Sequence, residues 1–246
     1  MAIVQRIDRG LVRDVGAVAA ACAVVGVSFG AIAVASGVPA WLASAMSVLV
    51  FAGGSQFASV AILAGGGSPV TAVLAGLAIN ARHLPFGLAV ADVVGPGWAT
   101  RLVGSHLMID ESVAFALAQR DPARRRPAYW TCGVALFVAW NLGVLAGTLA
   151  GRAAGDPATL GLDAAFPAGL FALILPALRR PARTDQPGTD GGAQAARLAR
   201  RVALTGAVIA VAATPFLPPG IPVLLAVFAL AVAWPATRPA REEVAQ

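Results

Sequence analysis

Between Val15 and Trp234 the chain returns repeatedly to long uncharged stretches of Ala, Val, Leu and Gly. A helix of about 20 such residues spans the hydrocarbon of a bilayer and satisfies its own backbone there. This feature confines the chain to an all-α, polytopic membrane fold. Charge agrees, because 12% of the 246 residues are charged, about half the share usual in a soluble domain. The stretches read as spans at 15–36, 39–65, 69–94, 97–118, 128–150, 158–178, 202–217 and 220–235, within one membrane domain covering 1–246.

The net charge is +6, and all 18 basic residues are Arg. Fifteen fall in four clusters: Arg6, Arg9, Arg13; Arg120, Arg124, Arg125, Arg126; Arg179, Arg180, Arg183, Arg197, Arg200, Arg201; and Arg238, Arg241. Each flanks an apolar stretch, the pattern of cytoplasmic loops. No basic face with interleaved aromatics accompanies them, which argues against nucleic acid as a partner. With every cluster on one side, an even number of crossings separates each pair. Eight spans satisfy this, or six if 39–65 or its neighbour is re-entrant. Residues 1–14, the linker 181–199 and the tail 236–246 are then cytoplasmic, as are both termini. The first apolar stretch is too long for a cleavable signal peptide.

Trp41, Trp98, Trp130 and Trp234 fall at or near span ends, where amphipathic rings prefer the interface. Trp140 is the exception, near mid-span. Pro215, Pro218, Pro219 and Pro222 between the last two spans read as a tight hairpin. Cys22 and Cys132 lie inside apolar stretches and read as small packing residues, neither a disulfide framework nor a metal site. No internal repeat is visible.

Sorting the polar residues by depth is more informative. FAGGSQF (51–57) puts Gln56 at mid-depth of the second span, and INARHLPFG (79–87) puts Asn80, Arg82 and His83 there in the third. The fourth carries His106, Asp110 and Glu111 near its centre, the fifth Trp140 and Asn141. A charge at the bilayer centre costs about 2.5 to 3.5 kcal/mol on insertion scales, so these groups face protein or water. Stability alone is a weak reason to keep a buried ion pair, which favours a functional site. Gly53-Gly54-Ser55-Gln56 predicts a broken helix at 53–56, whose freed backbone suits a carboxylate. Phe86 and Gly87 after Pro85 predict a kink just after His83. Arg82 or the glycine break would hold a substrate carboxylate, Asp110 or Glu111 an ammonium, and neighbouring Leu, Val and Phe an apolar side chain. His83 and His106 are the groups most able to change charge near neutrality, as proton coupling requires.

The same residues carry a family resemblance. VSFGAIAVASG (27–37), SVLVFAGGSQFASVAIL (47–63), NARHLPFGL (80–88), IDESVAF (109–115), VAWNLGVLAGTLAG (138–151), LGLDAAFPAGLFALILPAL (160–178) and PPGIPVLLA (218–226) resemble the AzlC family, in this order. The resemblance covers almost the whole chain, and Asn-x-Arg-His with Asp-Glu is its most specific part. It implies the large subunit of a bacterial inner-membrane exporter for branched-chain amino acids, particularly valine, and in some cases methionine. It also implies a small AzlD-type membrane subunit as partner, and no cofactor. Many relatives have an aromatic residue where this chain has Pro85.

Rival readings are weaker. His106-x-x-x-Asp110 superficially matches an acyltransferase pattern, but on a helix that spacing only puts two groups on one face. Gly-Gly-Ser-Gln is no nucleophile elbow, so the expectation is not an enzyme. The absence of a P-loop excludes ATP hydrolysis by this chain; His83 and the midplane acids make the proton gradient the expected energy source. A passive channel, or a structural partner of another transporter, is the remaining alternative. A channel would show charged rings or a filter loop.

Overall fold

The structure is a computed structural model that describes residues 9–154, 190–218 and 220–232. Every regular element among them is helical. Its frame is a pair of long helices, α1 (Arg9–Ala35) and α9 (Pro122–Ala154). They touch backbone to backbone: a side chain at Gly143 would meet the Ala23 carbonyl, one at Gly147 the Val27 carbonyl, and one at Gly151 would lie 3.0 Å from Ala31 Cα. From α1, Gly26 lies against the Trp140 carbonyl and Gly30 against that of Val144. Small residues four apart on both helices permit this approach where no solvent drives association. The pairings advance together, so α1 and α9 run parallel. Arg9 and Arg13 therefore share one end of the bundle with Arg124–Arg126, here called the basic end.

With α9 as ruler, the intervening chain is not a series of crossings. Helix α2 (Ala40–Val50) runs antiparallel to α9: Ser47 meets Asn141, and Phe51, just beyond the helix, meets Phe137. The backbone then reverses. Phe51 adopts the left-handed conformation (φ 42°, ψ 47°), costly for a bulky residue and held by an edge-to-face contact with Phe137, ring centres 5.0 Å apart. Helix α3 (Gly53–Ala64) returns to the end it came from, pairing with the antiparallel α4 (Pro69–Asn80) through Ser55–Asn80 and Ser59–Ala72 contacts. Ser68 caps α4 by accepting the Thr71 N–H at 3.1 Å, with Pro69 at its first position, a favoured arrangement.

The chain then crosses through α4, α5 (His83–Ala89) and the short α6 (Ala91–Val94), reaching the basic end where Arg125 meets Asp92 at 2.9 Å. Helix α7 (Trp98–His106) climbs again: Gly104 lies beside Trp130, and the Leu107 carbonyl 3.0 Å from where a Gly133 Cβ would be. After Leu107–Ile109, α8 (Asp110–Leu117) descends along α9, and residues 118–121 lead directly into α9, whose N-cap Asp121 accepts the Ala123 N–H.

The expected spans 39–65 and 97–118 are thus two re-entrant helical hairpins entering from opposite ends. Through-crossings among 9–154 reduce to α1, α4–α6 and α9, and the helices long and apolar enough to span a membrane are Arg9–Ala35, Pro69–Ala89 and Pro122–Arg152. The fold is also an inverted repeat, which the sequence does not display as visible self-similarity. A shift of 57 residues carries Trp41 onto Trp98, the helix start Gly53 onto Asp110, and Ser55 onto Ser112. In each hairpin that serine donates to the carbonyl of the residue before the helix, Ala52 at 2.9 Å and Ile109 at 3.0 Å. Trp41 and Trp98 are 71% and 81% exposed, at opposite ends.

Farther on, α10 (Asp190–Ala213) begins inside the segment expected as a linker, where Ala, Gln, Leu and Arg favour helix. It packs on α11 (Ile221–Ala226) across the expected proline turn, and Leu224 of α11 reaches the Ile62–Ala72–Ala75 cluster. The expected span 158–178, the tail and Trp234 lie outside the described residues.

Candidate functional site

The tips of both hairpins meet a break in the α4–α5 crossing. Pro85 has no N–H for the Ala81 carbonyl and its ring crowds that group, so the crossing breaks at Ala81–Arg82, ahead of His83 rather than after it. The first break lies at Phe51–Ala52, two residues before the expected glycines, which instead form the first turn of α3. The third, at Leu107–Ile109, carries neither Gly nor Pro.

Arg82 Nε stands 3.2 Å from Asp110 Oδ1, joining the α4–α5 break to the start of α8. Both side chains are half-exposed, 41% and 47%. A Cβ on Gly54 would lie 4.0 Å from Arg82 Nη2, which brings the start of α3 to the same place. That start is bare: Gly53 and Gly54 leave their amides uncovered by any side chain of their own. Gln56, 1% exposed, accepts the Ala52 N–H at 3.3 Å through Oε1, while its Nε2 has no partner. Asn80 donates to Ser55 Oγ at 3.2 Å, and its Oδ1 likewise lacks a partner. Helix starts carry about half a positive charge; α8 answers its own with Asp110 and Glu111, α3 with nothing.

The histidines are fixed locally. His106 Nε2 donates to the Val48 carbonyl at 2.8 Å, tying the two hairpin tips together at the carboxyl end of α2. His83 Nδ1 lies 2.9 Å from the Asn80 carbonyl. Trp140 is 4% exposed, its ring edge against Gly53 and its face stacked on Phe29 at 5.9 Å. Asn141 does not join the Arg82 group: it accepts from Ser47 at 2.7 Å and donates to the Phe137 carbonyl, anchoring the first hairpin to α9. Glu111 turns away from the pair, about 100° round the helix from Asp110. It comes within electrostatic reach of Cys22 on α1 and Cys132 on α9. Sequence reasoning missed Ser47, the Val48 carbonyl, and the thiols within electrostatic reach of Glu111; the 57-residue shift is the signal that could have found the hairpins that place them.

Among known protein families, the model described as AzlC protein matches residues 17–154, more than half of the chain, from within α1 to the end of α9. The chain belongs to the AzlC family. No curated protein and no solved structure matches it. As an AzlC protein with apolar, outward-facing through-helices (Leu77, Leu84, Leu88 and Leu142 are all exposed), it is an integral membrane protein. Its Asn-x-Arg-His and Asp-Glu motifs fall on the two breaks joined by Arg82 and Asp110. Among the described residues no three His, Cys, Asp or Glu side chains are grouped to hold a metal ion.

Proposed function

We propose that this chain is the large subunit of a proton-driven exporter of branched-chain amino acids (valine, leucine, isoleucine and also methionine), a carrier and not an enzyme. The observation that supports it most is the convergence of three helix breaks on the Arg82–Asp110 pair. The bare α3 start and Gln56 Nε2 offer donors to a carboxylate, and Asp110 offers an acceptor to an ammonium. Ile79, 3.7 Å from a Gly54 Cβ, and Met108, 3.8 Å from a Gly87 Cβ, supply apolar surface at the same level. An α-amino acid has these three parts. The basic end faces the cytoplasm by the charge rule. A half-exposed ion pair among exposed leucines of α4–α5 also suits a second membrane chain covering that side, the role of a small AzlD-type subunit. The test is valine counterflow in proteoliposomes holding both subunits. Labelled valine should accumulate transiently against trapped unlabelled valine, and the rate should fall at least tenfold without the small subunit. Full-rate transport by this chain alone would refute the two-component reading, and no counterflow with any of the four amino acids would refute the substrate class.

A further inference from the structure

Three formal charges lie at the meeting of the breaks: Arg82, Asp110 and Glu111. One guanidinium cannot balance two carboxylates, and the geometry shows which it serves. Arg82 is 3.2 Å from Asp110, and no ion pair joins Glu111 to a cation among the described residues. Within electrostatic reach of Glu111 lie Cys22 on α1, Cys132 on α9, Asp110 on its own helix, and Arg82, which is beyond ion-pair distance. A half-buried carboxylate at membrane depth with no cation at ion-pair distance among the described residues is costly, and a proton taken from water can remove that charge.

We infer that Glu111 is the proton-carrying group of this transporter and that Asp110, its neighbour, is not. The inference rests on the amino-acid carrier reading above and adds the coupling step to it. In the empty site Arg82 balances Asp110, and a proton taken from water onto a Glu111 carboxyl oxygen removes the remaining charge. An arriving amino acid lays its carboxylate on the α3 start and its ammonium beside Asp110. With the substrate carboxylate offset by the α3 start and Gln56 Nε2, the two acids share two cations, Arg82 and the ammonium, and the Glu111 proton leaves to water. Proton and substrate ammonium alternate as the second cation of one site, which is the condition for antiport. Glu111 sits at the tip of a re-entrant hairpin, so its charge state bears directly on the element that must shift for the site to change sides.

Wild type and Glu111→Gln, each with the small subunit, are reconstituted and read in two assays: valine counterflow at equal pH, and valine accumulation driven by an imposed pH gradient. Gln fixes the neutral form. Counterflow at saturating valine should persist within about threefold, while gradient-driven accumulation should fall at least tenfold. Glu111→Asp should recover part of it. Gradient-driven accumulation equal to wild type in Glu111→Gln overturns the inference; so does loss of both assays in folded protein, which would make Glu111 a substrate contact. Absence of counterflow in wild type instead strikes the carrier reading. A hydrophobic carbodiimide, which attacks protonated carboxyls, gives a check on the unmutated complex. It should label Glu111, and saturating valine should protect it. Labelling absent there, or confined to Asp110, also overturns the inference.

Discussion

Arg82 and Asp110 show how a single ion pair can be asked whether it works or merely holds. Each is half-exposed, so breaking the pair costs less than the about 3 to 5 kcal/mol of a fully buried one. Arg82→Ala still strands the Asp110 charge with no cation beside it, and membrane yield and counterflow should both drop. Adding Asp110→Asn removes the stranded charge, so yield should recover toward wild type. Counterflow should not, because the acceptor for the ammonium is gone along with the guanidinium that organised it. Quantitative detergent-extracted yield and proteoliposome counterflow on the three proteins decide it; a double variant that regains transport makes the pair structural. The sequence pointed to these residues because charges are rare in apolar spans and their cost is known. It left open which acid faces Arg82, since that depends on where α8 starts, and α8 starts at a break with no Gly or Pro to mark it. The anchoring contact of Asn141 was not legible for a related reason: its partner Ser47 is 94 residues away and is an ordinary serine in an apolar stretch.

Breaks and helix contacts were legible in kind more than in place. Gly53–Gly54 suggested a break at 53–56, but those residues begin α3 and the break lies at Phe51–Ala52, where aromatic packing against Phe137 holds a left-handed Phe51 that no local rule would choose. Pro85 announced a kink that its missing N–H puts one turn upstream. Gly143, Gly147 and Gly151 lie four apart, and only the structure shows that their partner is α1 and that the two helices run parallel. This contact yields a sharp contrast. A methyl at Gly147 would run into the Val27 carbonyl, a backbone group that cannot swing aside, whereas Gly16 on the same pair has nothing within 4 Å. Gly147→Ala should therefore push α1 off α9 and cost about 2 kcal/mol or more, in the range of core overpacking. Gly16→Ala should be neutral or slightly stabilising, because alanine is the better helix former. Thermal unfolding of the detergent-solubilised variants should put Gly147→Ala several degrees below wild type and leave Gly16→Ala unchanged; equal midpoints would mean that this contact does not carry the frame.

For the whole molecule, the arginine clusters fixed the parity of crossings and could not fix their number. Four crossings were expected before Arg120; two hairpins that each turn back leave two, α1 and α4–α6, and parity survives. Hydropathy cannot separate a span from a re-entrant hairpin of equal length, since both bury apolar helix, and the 57-residue shift that marks the hairpins rests on scattered identities such as Trp41 and Trp98. The two topologies nevertheless place the connecting loops on opposite sides. Five straight spans put 65–68 in the cytoplasm and 95–98 outside. The structure puts 65–68 at the end opposite the arginines and Trp98 at the basic end, near Gly95, where a Cβ would lie 3.0 Å from Arg126 Nη2. In a background with Cys22 and Cys132 replaced by alanine, single cysteines at Gly67 and Trp98 separate the two. An impermeant thiol reagent applied to intact cells should modify Gly67→Cys and spare Trp98→Cys; in inverted vesicles the pattern should reverse. The opposite pattern would restore five crossings, remove the inverted repeat, and separate the two hairpin tips whose meeting defines the site.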